Sequence, residues 1–133
     1  MGQCVGHTAG VHGALDAAAR RARARGRTQS VVSRGDVWWY EPPDAKRRPA
    51  LVMTRAEAAQ SLNELFVILA TTTVRGLPTE VELGPRDGMP RDCVLNADHA
   101  GAADKAFLTK RITQLGPERL SEVCRALAFA TSC

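Results

Sequence analysis

An apolar run of six residues, Leu65–Ala70 (LFVILA), leads directly into Thr71, Thr72 and Thr73. A continuous apolar segment this short, with β-branched and aromatic members, suits a strand buried on both faces. Such a strand needs neighbours, and the rest of the chain offers them. Asp36–Glu41 carries Val37, Trp38, Trp39 and Tyr40, and Ala50–Thr54 follows Pro49. Thr79–Leu83 alternates polar and apolar as a half-buried strand does, while Asp92–Leu95 and Thr109–Leu115 read as shorter or later strands. Pro42-Pro43-Asp44 and Gly76-Leu77-Pro78 punctuate the pattern, Gly84–Pro90 reads as a loop, and residues 55–62 read as a short helix. Residues 96–106 are small and polar and read as irregular. Gly116-Pro117-Glu118 opens a last helix: proline suits a first turn whose N–H groups are unpaired, and Glu118 complements the positive end of the dipole. Leu120, Val123, Cys124 and Leu127 then recur at helical spacing, so that face should pack on the sheet. The pattern predicts a mainly β fold, a small and strongly bent barrel of about 100 residues closed by one helix.

The formal charge of +4 is local. Residues 1–33 hold Arg20, Arg21, Arg23, Arg25 and Arg27 against Asp16 alone, whereas residues 34–133 hold 13 basic and 13 acidic residues. Two parts follow: a basic Ala/Arg-rich arm over 1–33, expected to be flexible, and a body over 34–133. Residues 14–25 have high helix propensity and Gly26 would end that helix. The arm reads as a solvated, partly helical extension, with a non-specific nucleic-acid tether or a later translation start at Val31 or Val32 as alternatives. A body of zero net charge must bind any polyanion through a local patch. No apolar stretch approaches the ~20 residues of a membrane span, and no secretory signal is visible, which points to the cytoplasm. The cysteines Cys4, Cys93, Cys124 and Cys133 form no C-x-x-C pair. Cys93 and Cys124 read as small core residues in a reduced compartment.

Several chemistries are excluded by what is missing. The chain has no Gly-rich phosphate loop, no G-x-S-x-G and no H-E-x-x-H. His7 and His12 lie in the arm and His99 stands alone in a polar stretch, so no histidine pair serves acid–base work within the body. No carboxylate spacing picks out a metal site, and no cofactor is called for. Two polar features remain: the threonine run ending the apolar strand, and Lys46-Arg47-Arg48 ahead of the strand Ala50–Thr54. If those two strands are neighbours in one sheet, Arg48 and Thr71 come close together. Taken alone, a turn entry and a solvated hairpin account for both features equally well.

Five segments in order resemble the MazF/PemK family. Arg34-Gly35-Asp36-Val37-Trp38-Trp39 is similar to its opening strand, R-G-[DE]-[IVL]-[WY], and Arg48-Pro49-Ala50-Leu51-Val52 to its second, R-P-[AV]-[LV]-[VI]. Ala70–Val81 resembles the end of the third strand, the following loop and the fourth strand. Asp92-Cys93-Val94-Leu95-Asn96 resembles D-[SC]-V-[VL]-N, and Gly116-Pro117-Glu118-Arg119-Leu120 leads into the family's terminal helix. The resemblance spans residues 34–133. It departs in the first loop, where the family often carries an acidic or serine-containing stretch and this chain has Pro42-Pro43-Asp44-Ala45-Lys46-Arg47.

The resemblance implies an SH3-like barrel and a homodimeric toxin endoribonuclease, neutralised by a cognate MazE-type antitoxin, that cuts short sequences in single-stranded RNA without a metal. By family position Arg48 and Thr71 are the catalytic pair. RNA carries its own nucleophile in the 2′-hydroxyl, so an enzyme has to align it and stabilise the charge that develops on phosphorus. A guanidinium fork matches two phosphate oxygens, and a threonine hydroxyl can donate or accept beside it. Lys46, Arg47, Thr72, Thr73 and Arg75 are expected to hold the RNA. A tryptophan is expected to stack a base; one of Trp38 and Trp39 must face inward on a period-2 strand, and Trp38 is the one assigned to RNA. A non-catalytic barrel that binds RNA or a protein is the alternative. Gyrase poisons of the CcdB type share the barrel but depend on a hydrophobic, tryptophan-containing C-terminus, where this chain has Thr131-Ser132-Cys133.

Overall fold

Six strands form one antiparallel sheet, in the order β4-β5-β3-β2-β1-β6. They are β1 (Asp36–Tyr40), β2 (Arg48–Val52), β3 (Glu64–Thr71), β4 (Glu80–Leu83), β5 (Cys93–Asp104) and β6 (Leu108–Gln114). A one-turn helix α1 (Ala56–Ala59) joins β2 to β3, and α2 (Pro117–Thr131) ends the chain. The computed structural model describes residues 31–133; the helix expected over 14–25 lies outside the described residues.

The apolar run forms the middle of the sheet, with β2 and β5 on either side of β3. Leu65, Val67, Ile68 and Ala70 are buried. Alternation then divides the apolar residues between two clusters. Val37, Leu51, Ile68 and Leu95 join the cluster under α2. Trp38, Ala50, Val52, Leu65 and Val67 join the other, where Ala59 of α1 and Leu108 of β6 complete it.

The small, polar segment expected to be irregular is instead most of a 12-residue strand, β5. Its first part, Cys93–Asn96, pairs with β4 on one side and, at Val94 and Leu95, with Thr71 and Ala70 of β3 on the other; its last part pairs with β3 through Ala100–Asp104. The β3–β5 register shifts between Ile68, opposite Ala100, and Ala70, opposite Leu95, so β5 carries extra residues there and bends at the bulge. Ala97, Ala100, Gly101, Ala102 and Ala103 carry too little side chain to show a strand period. Pairing with the strongly apolar β3 overrides their weak β propensity.

Helix α2 starts as expected, with Pro117 in its first turn behind Gly116. Its inner face differs from the expected one. Val123 and Ala126 are buried, Leu120, Leu127 and Ala130 pack partly against the core, and Cys124 is exposed. The alanines let the helix lie close to the sheet, which turns the stripe away from Cys124.

The Arg34-Gly35-Asp36 motif is architectural. The Arg34 guanidinium donates to the Met53 carbonyl at 2.6 Å. Gly35 takes a left-handed φ of +93°, donates to the Val52 carbonyl at 2.8 Å and accepts from the Leu115 N–H at 2.9 Å. A side chain there would meet Leu120 Cδ1 at 3.2 Å as well as strain the backbone. Asp36 is fully buried; its Oδ2 accepts from Ser33 N–H at 2.9 Å and from the Trp38 indole at 3.2 Å. The Arg111 guanidinium stands 3.6 Å from its Oδ1. The motif therefore ties the start of β1 to the ends of β2 and β6.

The β4–β5 connection spans the gap between the two edge strands. A 3₁₀ turn at Pro85–Asp87 is followed by Gly88 at φ +92°. The Thr113 hydroxyl of β6 donates to the Asp87 carbonyl at 2.9 Å, and Arg119 of α2 holds the Asp87 carboxylate at 3.0 Å. These bonds fix the loop that carries residues 89–92 across the mouth of the barrel.

Candidate functional site

In the β2–β3 register Ala50 faces Leu69. Carried two residues further along each antiparallel strand, that register brings Arg48, the first residue of β2, opposite Thr71, the last residue of β3. Both line one open cavity of about 310 Å³. The cavity also receives Lys46 and Arg47 from the β1–β2 loop, Thr72 from β3's exit and Arg91 from the β4–β5 connection. Lys46, Arg47, Arg48 and Arg91 are all cationic and no aspartate or glutamate lines the wall. The described body has no net charge to spare, so its positive potential is concentrated here.

The two catalytic candidates differ in how they are held. The Thr71 hydroxyl oxygen accepts the Thr73 backbone N–H at 3.2 Å. That bond occupies one lone pair and leaves the hydroxyl proton free to be aimed into the groove. Arg48, on the neighbouring strand, is exposed, and its fork is open to a phosphate.

The tryptophan assignment is corrected. Trp38 is 2% exposed, packed in the second core cluster with its indole N–H on Asp36, and cannot stack a base. Trp39, pointing the other way on the same strand, lines the cavity. The Arg47 guanidinium lies 4.1 Å from its ring centroid, a cation–π contact that pairs charge with a stacking surface.

The threonine run divides. Thr71 and Thr72 line the cavity; Thr73 and Arg75 are exposed in the following loop and do not. That loop is tethered by the Glu80 carboxylate, which accepts from the backbone N–H groups of Arg75 at 3.0 Å and Gly76 at 2.8 Å. Arg75 can thus reach a polyanion at the rim only.

Trp39, named from sequence only as the alternative to Trp38, lines the cavity together with Arg91 and Cys93, which the sequence does not single out. Of these only Trp39 had a usable signal, the alternation along β1. Burial, reinforced by Asp92, raises the Cys93 thiol above its ordinary value, so it stays protonated near neutral pH and is a poor nucleophile. A second cavity of about 610 Å³ shares Thr72 and Cys93 with the first. Glu82, Asp92, Arg86 and the Asp87–Arg119 pair line it, a wall of mixed charge whose carboxylates can accept hydrogen bonds from base amino groups. Burial alone would raise the Asp87 carboxyl, but the hydrogen bonds from Arg119 and from the Gly84 N–H outweigh it and hold the group below its ordinary value. His99 is exposed and lines neither cavity. Among the described residues no three His, Cys, Asp or Glu side chains are grouped to hold a metal ion, and no helix is long and apolar enough to cross a membrane.

Fold and groove together define a small bent β-sheet protein with a cationic cleft at the mouth of its barrel. Residues 33–130 match the family described as PemK-like, MazF-like toxin of type II toxin-antitoxin system, and the chain belongs to that family. It is 38% identical over 105 residues to the probable endoribonuclease MazF5 of Mycobacterium tuberculosis, covering 78% of this chain and 96% of the relative. Among solved structures it is similar to the Mycobacterium tuberculosis toxin MazF-mt6, with a TM-score of 0.67, 27% identity, and coverage of 73% of this chain and 96% of that one. It is likewise similar to a mycobacterial endoribonuclease in complex with its cognate antitoxin, with a TM-score of 0.68, 25% identity, and coverage of 76% and 95%.

Proposed function

We propose that this MazF-like endoribonuclease toxin cuts single-stranded RNA by 2′-hydroxyl attack, with Arg48 and Thr71 on the scissile phosphate and no metal. The observation that carries the reading is their convergence from neighbouring strands on one cationic cavity. In that reaction the 2′-oxygen bonds to phosphorus, the bond to the 5′-oxygen breaks, and a 2′,3′-cyclic phosphate and a 5′-hydroxyl result. The Arg48 fork stabilises the charge on the phosphorane and stays protonated throughout. The Thr71 hydroxyl donates to the phosphate or orients the attacking hydroxyl. Lys46 and Arg47 hold flanking phosphates, Trp39 offers a stacking face, and Thr72 borders the next nucleotide. Thr73 and Arg75 act at the rim. The wall of cations and hydroxyls is a poor donor set for a divalent ion, which favours a metal-independent reaction.

A MazE-type antitoxin is the proposed partner, its acidic-hydrophobic segment competing with RNA for the cationic groove. A homodimer in the cytoplasm is the proposed setting. The test is a panel of short RNAs with chelator present. Wild type should cut, and Arg48→Ala should be slower by roughly 10²–10³ while remaining folded. An Arg48→Ala protein that cuts at the wild-type rate overturns the assignment.

A further inference from the structure

Attack on a phosphodiester adds a second negative charge to the non-bridging oxygens, and a single guanidinium neutralises only one. The groove holds a second cation suited to the other. Arg91 stands on the β4–β5 connection, which reaches the cavity independently of the β2 wall that presents Arg48. Its backbone is held on both sides, by Met89 at 4% exposure and Cys93 at 7%, while its own side chain stays at the surface. The loop behind it is pinned by Asp87 to Arg119 and by Thr113 to the Asp87 carbonyl. Among the described residues its guanidinium takes part in no ion pair or hydrogen bond. Arg47, by contrast, is engaged with the Trp39 ring, and Lys46 offers no fork.

We propose that Arg91 is a further catalytic residue, binding the non-bridging phosphoryl oxygen that Arg48 does not, so that the two arginines clamp the phosphorane across the groove. The proposal rests on the nuclease reading above. Arg91 exchanges no proton: the 2′-proton leaves to water and the 5′-oxygen takes one up from water, while the guanidinium supplies charge and hydrogen bonds that strengthen as the phosphorane forms.

The experiment compares wild type, Arg91→Ala and Arg91→Lys on an RNA containing one cut site. The same RNA carries, in turn, each phosphorothioate diastereomer at the scissile phosphate. Arg91→Ala should lower kcat by roughly 10²-fold with little change in KM, because the contact tightens in the transition state. It should also lose the rate penalty that wild type shows for sulfur at one of the two oxygens, while keeping the penalty at the other. Arg91→Lys should recover part of kcat, as a point charge without the fork. Affinity for an uncleavable 2′-deoxy analogue and the unfolding midpoint should both stay near wild type. Arg91→Ala cutting at the wild-type rate, or cutting slowly with both sulfur penalties intact, overturns the clamp and leaves the nuclease reading standing. A wild-type protein that cuts no RNA overturns both.

Discussion

Replacing Thr71 by valine removes one hydroxyl and keeps the β-branched shape that suits the end of a strand. In the folded chain that hydroxyl oxygen accepts the Thr73 N–H at 3.2 Å, and Thr73 lies in the exposed loop. Water can replace the lost acceptor, so the stability cost is about 0.5–1 kcal/mol, a few degrees of Tm at most. The kinetic cost is of another order. If the hydroxyl donates to charge developing on the phosphate, its loss slows cleavage by roughly 10²–10³, or about 2.7–4 kcal/mol of barrier. The assay is single-turnover cleavage of a short RNA, alongside thermal unfolding of the same preparations. Thr71→Ser supplies the control, since it restores the donor and should restore most of the rate. A folded Thr71→Val protein that cuts as fast as wild type would refute a role for the hydroxyl.

The two tryptophans should respond in opposite ways. Trp38→Ala empties a buried site and removes a donor to Asp36, costing about 3–5 kcal/mol and visible as loss of the cooperative unfolding transition near room temperature or a large fall in Tm. Trp39→Ala should leave Tm nearly unchanged and weaken binding of an uncleavable RNA by roughly 1–3 kcal/mol, the value of one stacked base; equal affinities would remove Trp39 from the groove. Acid sensitivity should depend on Asp87, whose carboxyl is held below its ordinary value. Its contribution is fully present above the unfolded carboxyl's pKa of about 3.9 and is lost as pH falls through the lower folded value. With Arg119 about a third exposed, the contribution is about 1 kcal/mol after solvent screening. Asp87→Asn should flatten the pH dependence of urea midpoints below about pH 4, and an unchanged slope would show that other carboxylates carry it.

The parts of the fold legible along the chain were those whose signal is local. Leu65–Ala70 announces a central strand because a short apolar run has few other places to go, and Pro117 with Glu118 marks a helix start within one turn. Strand β5 carried that signal only at its start, Cys93–Leu95: Asn96–Asp104 is built of small and polar residues, and its conformation comes from pairing with β3 and β4. Cys124 was misplaced for a related reason. Its spacing fits an apolar stripe, but close approach of Ala126 and Ala130 to the sheet turned the helix so that Cys124 faces solvent.

The amino-acid sequence alone determined which residue types were available for chemistry, the existence of β1 to β4, of β6 and of the last helix, and the likeness of ordered segments to one toxin family. Each of these depends on neighbours in the chain or on the order of short motifs. Only the tertiary structure decided which of Trp38 and Trp39 meets a ligand, that Thr73 and Arg75 stand at the rim, and that Arg91 joins Arg48 and Thr71 in one cavity. Alternation says that two neighbouring side chains point opposite ways, but not which way is in. That choice, like the meeting of residues from three separate segments, is made by sheet register and by the packing that bends the sheet around its core.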